Sequence, residues 1–174
     1  MNLWLVPASD DVADANVAKT LAGPISQERA QRAGVAAGLH AWGARASSDM
    51  NVNKFNKMRP GDWCLFYTKA PNGGPKRYRW KGMISEKIQD RKVAEALWDD
   101  PSFELVYFLD DVTPIDLAPE QLSAGFARFR KNYFNEAPKG FTAIDPEVLN
   151  GIVEQYGGVD PWLTSLQRPL HFLG

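Results

Sequence analysis

The stretch that decides the fold runs from Leu39 to Ile88 and reads LHAWGARASSDMNVNKFNKMRPGDWCLFYTKAPNGGPKRYRWKGMISEKI. Its centre is a Pro-Gly-Asp turn, which leads into an aromatic run at Trp63–Thr68 that is typical of a β-strand. The turn Pro-Asn-Gly-Gly-Pro at 71–75 follows, and a second strand is expected over 79–88. A short amphipathic helix is expected before the turn, at 51–58. This order predicts a domain built around a β-hairpin.

The flanking segments add strands and helices on both sides of this hairpin. Apolar runs predict strands at 2–7, 103–110 and 141–144, whereas helical spacing predicts helices at 12–21, 26–39, 93–98, 119–125 and 146–156. Residues 160–174 are apolar but show no regular pattern. Because the chain contains no repeat, low-complexity tract or linker, we expect one α+β domain over 1–174, with helices packed around a strongly bent mixed sheet.

Composition limits the class of protein. The chain has 174 residues, 44% of them hydrophobic, which suits one well-cored domain. No window approaches the roughly 18 apolar residues of a membrane span, and the N-terminus has no signal-peptide pattern. We therefore expect a cytoplasmic protein without membrane partners. The single cysteine, Cys64, lies in the aromatic strand and is expected to be a small buried side chain.

Charge is unevenly distributed along the chain. Residues 45–92 contain twelve Lys or Arg against four acids, a net charge of +8, whereas residues 1–44 carry −1 and residues 93–174 carry −8. Aromatic residues alternate with the cations in the basic segment. A basic surface interleaved with aromatic rings is typical of a site for nucleic acid, whose phosphates need cations and whose bases stack.

Signatures of catalysis are scarce. The sequence has no phosphate-binding loop and no nucleophile elbow, and its two histidines have no metal-ligand spacing. Two carboxylate pairs, Asp99-Asp100 and Asp110-Asp111, border the predicted strand at 103–110. Neither has the Glu-x-Lys partner of a metal-dependent nuclease, so solvated strand ends are the better interpretation. We expect no catalytic residues, no metal site and no cofactor.

Six tryptophans are many for a chain of this length, and most are expected in the core. Trp42 and Trp98 differ from the rest because Trp42 falls outside the predicted periodic elements and Trp98 closes the short helical turn at 93–98, next to a predicted loop. Trp42 is surrounded by small residues and Trp98 precedes Asp-Asp-Pro. Large aromatic side chains in such loops form the walls of slots for flat ligands, and simple packing is an equally good explanation on these features alone.

The ordered set of motifs resembles the EVE domain of the PUA-like superfamily, to which the YTH domains are related. The motifs are the opening strand NLWLVPASD at 2–10, Trp-Gly-Ala-Arg at 42–45, Met-Arg-Pro-Gly-Asp at 58–62 and Lys-Gly-Met at 81–83. Two later stretches, at 97–112 and 140–152, are similar to the variants at the N-terminus of modification-dependent restriction endonucleases, which precede HNH nuclease domains or accompany McrBC-type GTPases. The resemblance is strongest over 2–11 and 40–155, and segments 12–39 and 159–174 depart from it.

The resemblance implies a partly open β-barrel, surrounded by helices, whose mouth holds a modified base in an aromatic cage. By position, Trp42 and Trp98 would be the walls and Tyr67 or Phe66 the floor, while Ser9 and Asp10 would bond the base edge. The phosphates of the nucleic acid would meet six cations: Arg45, Lys54, Lys57, Lys76, Arg77 and Arg79.

The function we expect is a non-catalytic sensor of modified double-stranded DNA that flips a methylated or hydroxymethylated base, 5-methylcytosine above all, into the cage. It would be the specificity module of a modification-dependent restriction system used in phage defence, with the nuclease or GTPase on another domain or subunit. Two alternatives remain open at this point. One is a stand-alone EVE-like reader of modified RNA, and the other is a nuclease that uses Asp110 and Asp111.

Overall fold

A computed structural model describes residues 1–134 and 139–167, and within them six strands form one mixed sheet. The strands are β1 (Leu3–Ala8), β2 (His40–Ala44), β3 (Trp63–Thr68), β4 (Arg77–Gln89), β5 (Leu105–Leu117) and β6 (Thr142–Ala143). Their order across the sheet is β2-β5-β4-β3-β1-β6. The pair β1–β3 is parallel and the other four pairs are antiparallel. The two edges of the sheet are therefore β2 and β6.

Helices lie between most of these strands and after β6. They are α1 (Asp11–Asn16), which continues as a π-helical turn at Val17–Leu21, α2 (Gln27–Ala33), α3 (Asp49–Lys57), α4 (Arg91–Trp98), α5 (Pro119–Ala127), α6 (Pro146–Tyr156) and α7 (Val159–Gln167). Side chains cap several of them: the oxygens of Asp10, Ser26, Ser48 and Asp90 accept hydrogen bonds from backbone N–H groups in the first turn.

Irregular pairing bends the sheet into a half-barrel. The register between β4 and β5 shifts at three places, and that between β3 and β4 shifts once. Each shift inserts a residue without a cross-strand partner, which kinks the strand and increases its twist. The long strands β4 and β5 thereby curl, and the edges β2 and β6 turn towards the same side of the molecule.

The core consists of three clusters that correspond to the inside and outside of the half-barrel. The inner cluster takes alternate side chains of five strands, among them Trp4, Trp42 and Phe66, and includes Phe55 and Met58 at the end of α3. A larger outer cluster packs β1, β3, β4 and β5 against α5, α6 and α7, and a smaller one packs β2 and β5 against α2 and α4. Strand alternation therefore decides whether a side chain faces the inside of the half-barrel.

The predicted Gly-Asp turn holds the start of the sheet together through one buried carboxylate. Asp62 is 1% exposed. Its Oδ1 accepts from the backbone N of Asn2 at 2.8 Å, and its Oδ2 accepts from Trp4 Nε1 and the backbone N of Arg59, each at 3.0 Å. A buried carboxylate is stable in the core only when it is hydrogen-bonded in this way. The turn thus ties the first residues of β1 to the start of β3.

The structure changes four sequence-based boundaries. Helix α2 ends at Ala33 rather than at residue 39, because Gly34 adopts the left-handed conformation that ends a helix. The strand expected at 103–110 continues to Leu117 and includes Asp110-Asp111. Residues 159–167 of the unpatterned tail form α7, and residues 168–174 lie outside the described residues. Trp42, expected in a loop, belongs to β2. Among the described helices, none has the length and apolar character needed to cross a bilayer.

Candidate functional site

A cavity of about 320 Å³ lies where the two edges of the half-barrel approach each other. We call it the seam cavity. One side comes from β2 and β5, the other from the end of β1 and the segment before β6, and α1 and α3 contribute one end each. Its lining is Val6, Pro7, Asp10, Ala13, Trp42, Gly43, Ala44, Arg45, Ser47, Asn51, Phe103, Tyr107, Lys139, Gly140 and Phe141. The volume falls within the usual range for a small-molecule or single-base pocket.

Trp42 is the sequence-predicted wall that the structure brings to this cavity. Strand β2 turns its indole towards the inside of the half-barrel, where the ring meets Phe66 edge-on at 5.7 Å between centroids. The side chain is only 5% exposed, so most of its surface is in contact with the core and one part faces the cavity. Trp42 is therefore both a wall and a packing residue.

Trp98, the last residue of α4, packs against the opposite face of β2 and does not line the seam cavity. Its indole packs over Gly43, where a β-carbon would stand 2.6 Å from the ring atom Cζ3. Its Nε1 donates to Thr20 Oγ1 at 3.0 Å, and Thr20 Oγ1 in turn donates to the carbonyl of Ala41 at 2.7 Å. Trp98 therefore fastens the π-helical turn to β2. Successive residues of a strand face opposite sides, so Trp42 and a ring beneath Gly43 cannot enclose one ligand between them.

The two floor candidates also separate by strand alternation. Phe66 is fully buried under Trp42 and supports that ring without lining the cavity. Tyr67 faces the outer side of β3, where its ring lies 5.3 Å from that of Tyr78. Phe66 thus contributes by fixing the angle of Trp42, and Tyr67 belongs to the outer core.

Polar groups reach the cavity from α1 and α3. Asp10 lines it, and its Oδ1 caps α1 by accepting from the backbone N of Ala13 at 2.7 Å. The neighbouring Ser9 is outside the lining. Asn51 lines the cavity from α3 and donates through Nδ2 to the carbonyl of Arg45 at 2.8 Å. The cavity therefore offers carboxylate and amide oxygens beside its aromatic rings.

Cations surround the same opening. The Arg45 guanidinium lies over the Phe103 ring at 4.7 Å from its centroid. Lys54 donates to the carbonyl of Phe141 at 2.7 Å and lies above that ring. Lys57, in the last turn of α3, is exposed. These three predicted phosphate ligands lie on, or next to, segments that line the seam cavity.

The hairpin cations divide into different environments. Lys76 is exposed. The hydrogen bond and charge of Lys69, with a smaller effect from the charge of Lys76, lower the pKa of Asp11, which is next to the cavity residue Asp10. Arg77 forms an ion pair with Asp116. Arg79 donates to the carbonyl of Pro75 at 2.9 Å and turns towards a different cavity. Of the three, Lys76 is the cation that remains directed to solvent near α1.

The carboxylates considered for a nuclease lie in two different settings. Asp99 accepts from Arg29 at 3.0 Å, and this hydrogen bond, with the charges of Arg29, Lys19 and Arg32, holds its pKa below the usual value. The Asp100 Oδ1 accepts from the backbone N of Ser102. Asp110 and Asp111 are exposed within β5. In the described part of the chain, no three His, Cys, Asp or Glu side chains are placed to share a metal ion.

Sequence reasoning missed three aromatic residues of the cavity, namely Phe103, Tyr107 and Phe141. Burial raises the pKa of the Tyr107 phenol well above its ordinary value, so this side chain stays neutral. Tyr107 is opposite Trp42 in the β2–β5 register, whereas Phe141 comes from beyond the other edge of the sheet. No sequence signal pointed to Tyr107, because β2 was not predicted as a strand and the first five residues of β5 are all buried.

Neither a protein-family profile nor a curated protein sequence matches this chain. Similar folds occur among solved structures. The N-terminal domain of Thermococcus gammatolerans McrB bound to m5C DNA superposes with a TM-score of 0.58 at 15% identity, over 89% of this chain and 96% of that domain. The Mmi1 YTH domain gives 0.43 at 10% identity, over 90% and 88%, and Rpa0253 from Rhodopseudomonas palustris gives 0.38 at 15%, over 96% and 93%.

The likeness to the McrB domain concerns the fold. It confirms the predicted architecture, an α+β domain in which a bent mixed sheet forms a partly open barrel surrounded by helices. At 15% identity it assigns no function to individual residues of this chain.

Proposed function

We propose that this chain is a non-catalytic sensor of modified DNA, which extrudes the modified base from the duplex and holds it in the seam cavity. The observation that carries the proposal is the seam cavity itself: an aromatic-walled space of about 320 Å³ with cations at its opening. Support also comes from the fold, which is that of a McrB domain described as bound to m5C DNA. We take 5-methylcytosine as the preferred base and its hydroxymethyl form as the next candidate.

The free-energy cost of extruding the base and the gain from stacking it are similar in size. Extruding a base costs a few kcal/mol, and stacking on an aromatic side chain returns about 1–3 kcal/mol. The methyl group of 5-methylcytosine contributes only about 0.8 kcal/mol when it is buried, which is a preference of roughly fourfold over cytosine. Hydrogen bonds to the base edge do not enlarge this preference, because cytosine and 5-methylcytosine present the same groups; they select either form of cytosine against thymine.

Asp10 is the residue that we assign to this selection. A carboxylate oxygen accepts from the exocyclic amine of cytosine, whereas thymine presents a carbonyl oxygen at the same position and would be repelled. Among the described residues, only the backbone N–H of Ala13 donates to this carboxylate, and the oxygen that accepts is Oδ1. The second oxygen is then available to the base. Asn51 provides an amide oxygen on the α3 side of the cavity.

We assign the phosphates flanking the extruded base to Arg45, which lines the cavity, to Lys54 and Lys57 in the last turn of α3, and to Lys76 near α1. We leave out Arg77 because Asp116 already neutralises it, and Arg79 because it faces another cavity. Phosphate contacts fix the position of the duplex and carry no information about the base. Selectivity is thereby separated from overall affinity, and different residues control each.

In its wider setting, we propose that the module of residues 1–174 works in the cytoplasm as the specificity element of a restriction system. A nuclease or GTPase on another domain or subunit would then cleave the DNA that this module marks. The support for this step is that the fold matches the N-terminal domain of McrB.

The test is a binding series on duplexes that differ at one base. Cytosine, 5-methylcytosine, 5-hydroxymethylcytosine, N6-methyladenine and thymine are each placed opposite an abasic site, so that the cost of extrusion does not depend on base pairing. Fluorescence anisotropy gives the affinities, and 2-aminopurine beside the test base reports unstacking. We expect 5-methylcytosine to bind tightest, with a rise in 2-aminopurine fluorescence.

The matched variants are Asp10→Asn and Asp10→Ala. Asparagine preserves the helix cap but loses the negative charge, so the discrimination between 5-methylcytosine and thymine should shrink while the fold is retained. Equal affinity for all five bases would reject the proposal. Tighter binding to the corresponding methylated RNA would replace it with an RNA reader, and cleavage of methylated plasmid by the isolated chain in Mg²⁺ would replace it with a nuclease.

A further inference from the structure

A second cavity, of about 440 Å³, lies on the other side of α1 from the seam cavity. We call it the bulge cavity. The π-helical turn and the residues after it form one wall, the end of β3 and the hairpin form another, and β4 and β5 close the base. Its surface is mostly apolar, with contributions from Val17, Trp80, Pro71, Pro114 and Ile115.

Two buried polar atoms in this cavity have no partner. Thr68 is 1% exposed, and neither a donor nor an acceptor in the described residues reaches its Oγ1. The Nε of Arg79 is also buried and without an acceptor. Such groups are rare in folded proteins because each one forfeits its bonds to water. Both residues line the same cavity, so the two atoms without partners belong to the walls of one space.

A defect in strand pairing directs Arg79 to this position. Tyr78 pairs with Tyr67 and with Leu117, and Trp80 pairs with Phe66 and with Pro114, so Arg79 has no partner on either neighbouring strand. A bulge of this kind re-aims the side chain it contains. The opposite wall is a π-helical turn, another irregularity that is frequent at functional sites.

The charges around the cavity favour an anion. Arg79 forms no ion pair within the described ranges, and its Nη2 donates a hydrogen bond to the carbonyl of Pro75. Lys69 adds a second cation, already paired with Asp11. Asp14 is the acid in the lining and is exposed at the rim. The deep part of the cavity thus presents a guanidinium N–H and a hydroxyl to an apolar space.

We propose that the bulge cavity is a binding site for a compact organic monoanion, an aromatic or branched aliphatic carboxylate. The carboxylate accepts from Arg79 Nε and Thr68 Oγ1, and the apolar body packs between Trp80 and the π-helical turn. This site is separate from the seam cavity and does not depend on the proposed recognition of DNA. The two cavities share α1, with Asp10 and Ala13 lining one and Asp14 lining the other.

The experiment is an NMR titration of the whole chain with three small probes in a buffer free of carboxylates. Benzoate has both the charge and the apolar body, benzamide has the body without the charge, and acetate has the charge with a minimal body. We expect benzoate to shift the Arg79 Nε–H and Thr68 resonances saturably, with a Kd of about 0.1–1 mM. The other two probes should bind at least tenfold more weakly.

Two variants locate the binding. Thr68→Val keeps the shape of the side chain and removes the hydroxyl, and should weaken benzoate about tenfold, the usual effect of losing a hydrogen bond to a charged group. Arg79→Lys keeps the charge and removes Nε, and should have a similar effect; it also tests the site if the first variant does not fold. Absence of saturable benzoate binding, equal binding of acetate, or unchanged affinity in the folded variants would overturn the proposal.

Discussion

Replacing Trp42 by phenylalanine tests the seam cavity with the least damage to the core. Trp→Ala in a core costs about 3–5 kcal/mol, a large part of the 5–15 kcal/mol that holds a typical domain together. Trp42 is 95% buried and rests on Phe66, so the alanine variant would lose binding partly through unfolding. Phenylalanine keeps one six-membered ring and should cost about 1–2 kcal/mol.

The binding effect follows from the same ring. If the base stacks on Trp42, a smaller ring loses about 1 kcal/mol of the 1–3 kcal/mol of stacking, or roughly a fivefold loss for the modified base. Affinity for unmodified duplex depends on phosphate contacts and should stay nearly constant. Anisotropy titrations with the two duplexes give the ratio of affinities, and urea denaturation of the same samples gives the change in stability.

Trp162→Phe is the matched control. Trp162 is fully buried in the outer cluster, far in the fold from the seam cavity, and its Nε1 has no partner among the described residues, so no hydrogen bond is lost. It should reduce stability by a similar amount without changing the ratio of affinities. The reasoning fails if Trp42→Phe leaves the ratio at the wild-type value, or if both variants lower it in proportion to their loss of stability.

Three further outcomes follow from the structure. Lys57→Glu and Lys76→Glu should weaken modified and unmodified duplexes by the same factor and lower the salt slope of binding by about one per lost contact; a change in the ratio between the duplexes would contradict their role as phosphate ligands. Asp62→Asn should lower the free energy of unfolding in urea by about 2–4 kcal/mol, because an amide cannot accept all three bonds that the buried carboxylate accepts, and a wild-type urea midpoint would refute this. Cys64 is fully buried, and burial, assisted by the charge of Asp62, raises the pKa of its thiol. Iodoacetamide at pH 8 should therefore modify Cys64 in urea and leave it intact in the native protein. Rapid alkylation of the native protein would contradict this and show that the barrel interior opens.

Much of the fold could be predicted because its elements are locally encoded. The aromatic strand agrees with the observed Trp63–Thr68, and the helix expected at 146–156 has the same ends in the structure. The strand is marked by its aromatic run between two turns, and the helix by Pro146 at its start and Gly157 after its end. Helix α7 was missed because its apolar face packs against α5 and α6, contacts that exist only in the folded chain.

The site was harder because it depends on which face each strand turns inward. Trp42 and Trp98 looked alike in sequence, each beside small or turn-forming residues. The structure separates them by one position of strand alternation: Trp42 faces inward, and the absent side chain of Gly43 leaves the space that Trp98 occupies outside. Phe103 and Phe141 join the cavity from segments 38 positions apart, and a single sequence contains no signal that brings these two together.

The position of β1 in the sheet constrains how the molecule can assemble. Leu3 pairs with Trp63, and Trp4 pairs with Ala143. Strand β1 can therefore enter the sheet only after segments from the middle and from near the end of the described chain are present. Contacts this distant in sequence slow folding, because chain entropy is lost before they form. During synthesis, residue 143 must leave the ribosome before β1 can pair with β6 and the seam cavity can form. The hairpin can form early, and the cavity beside Trp42 is completed last.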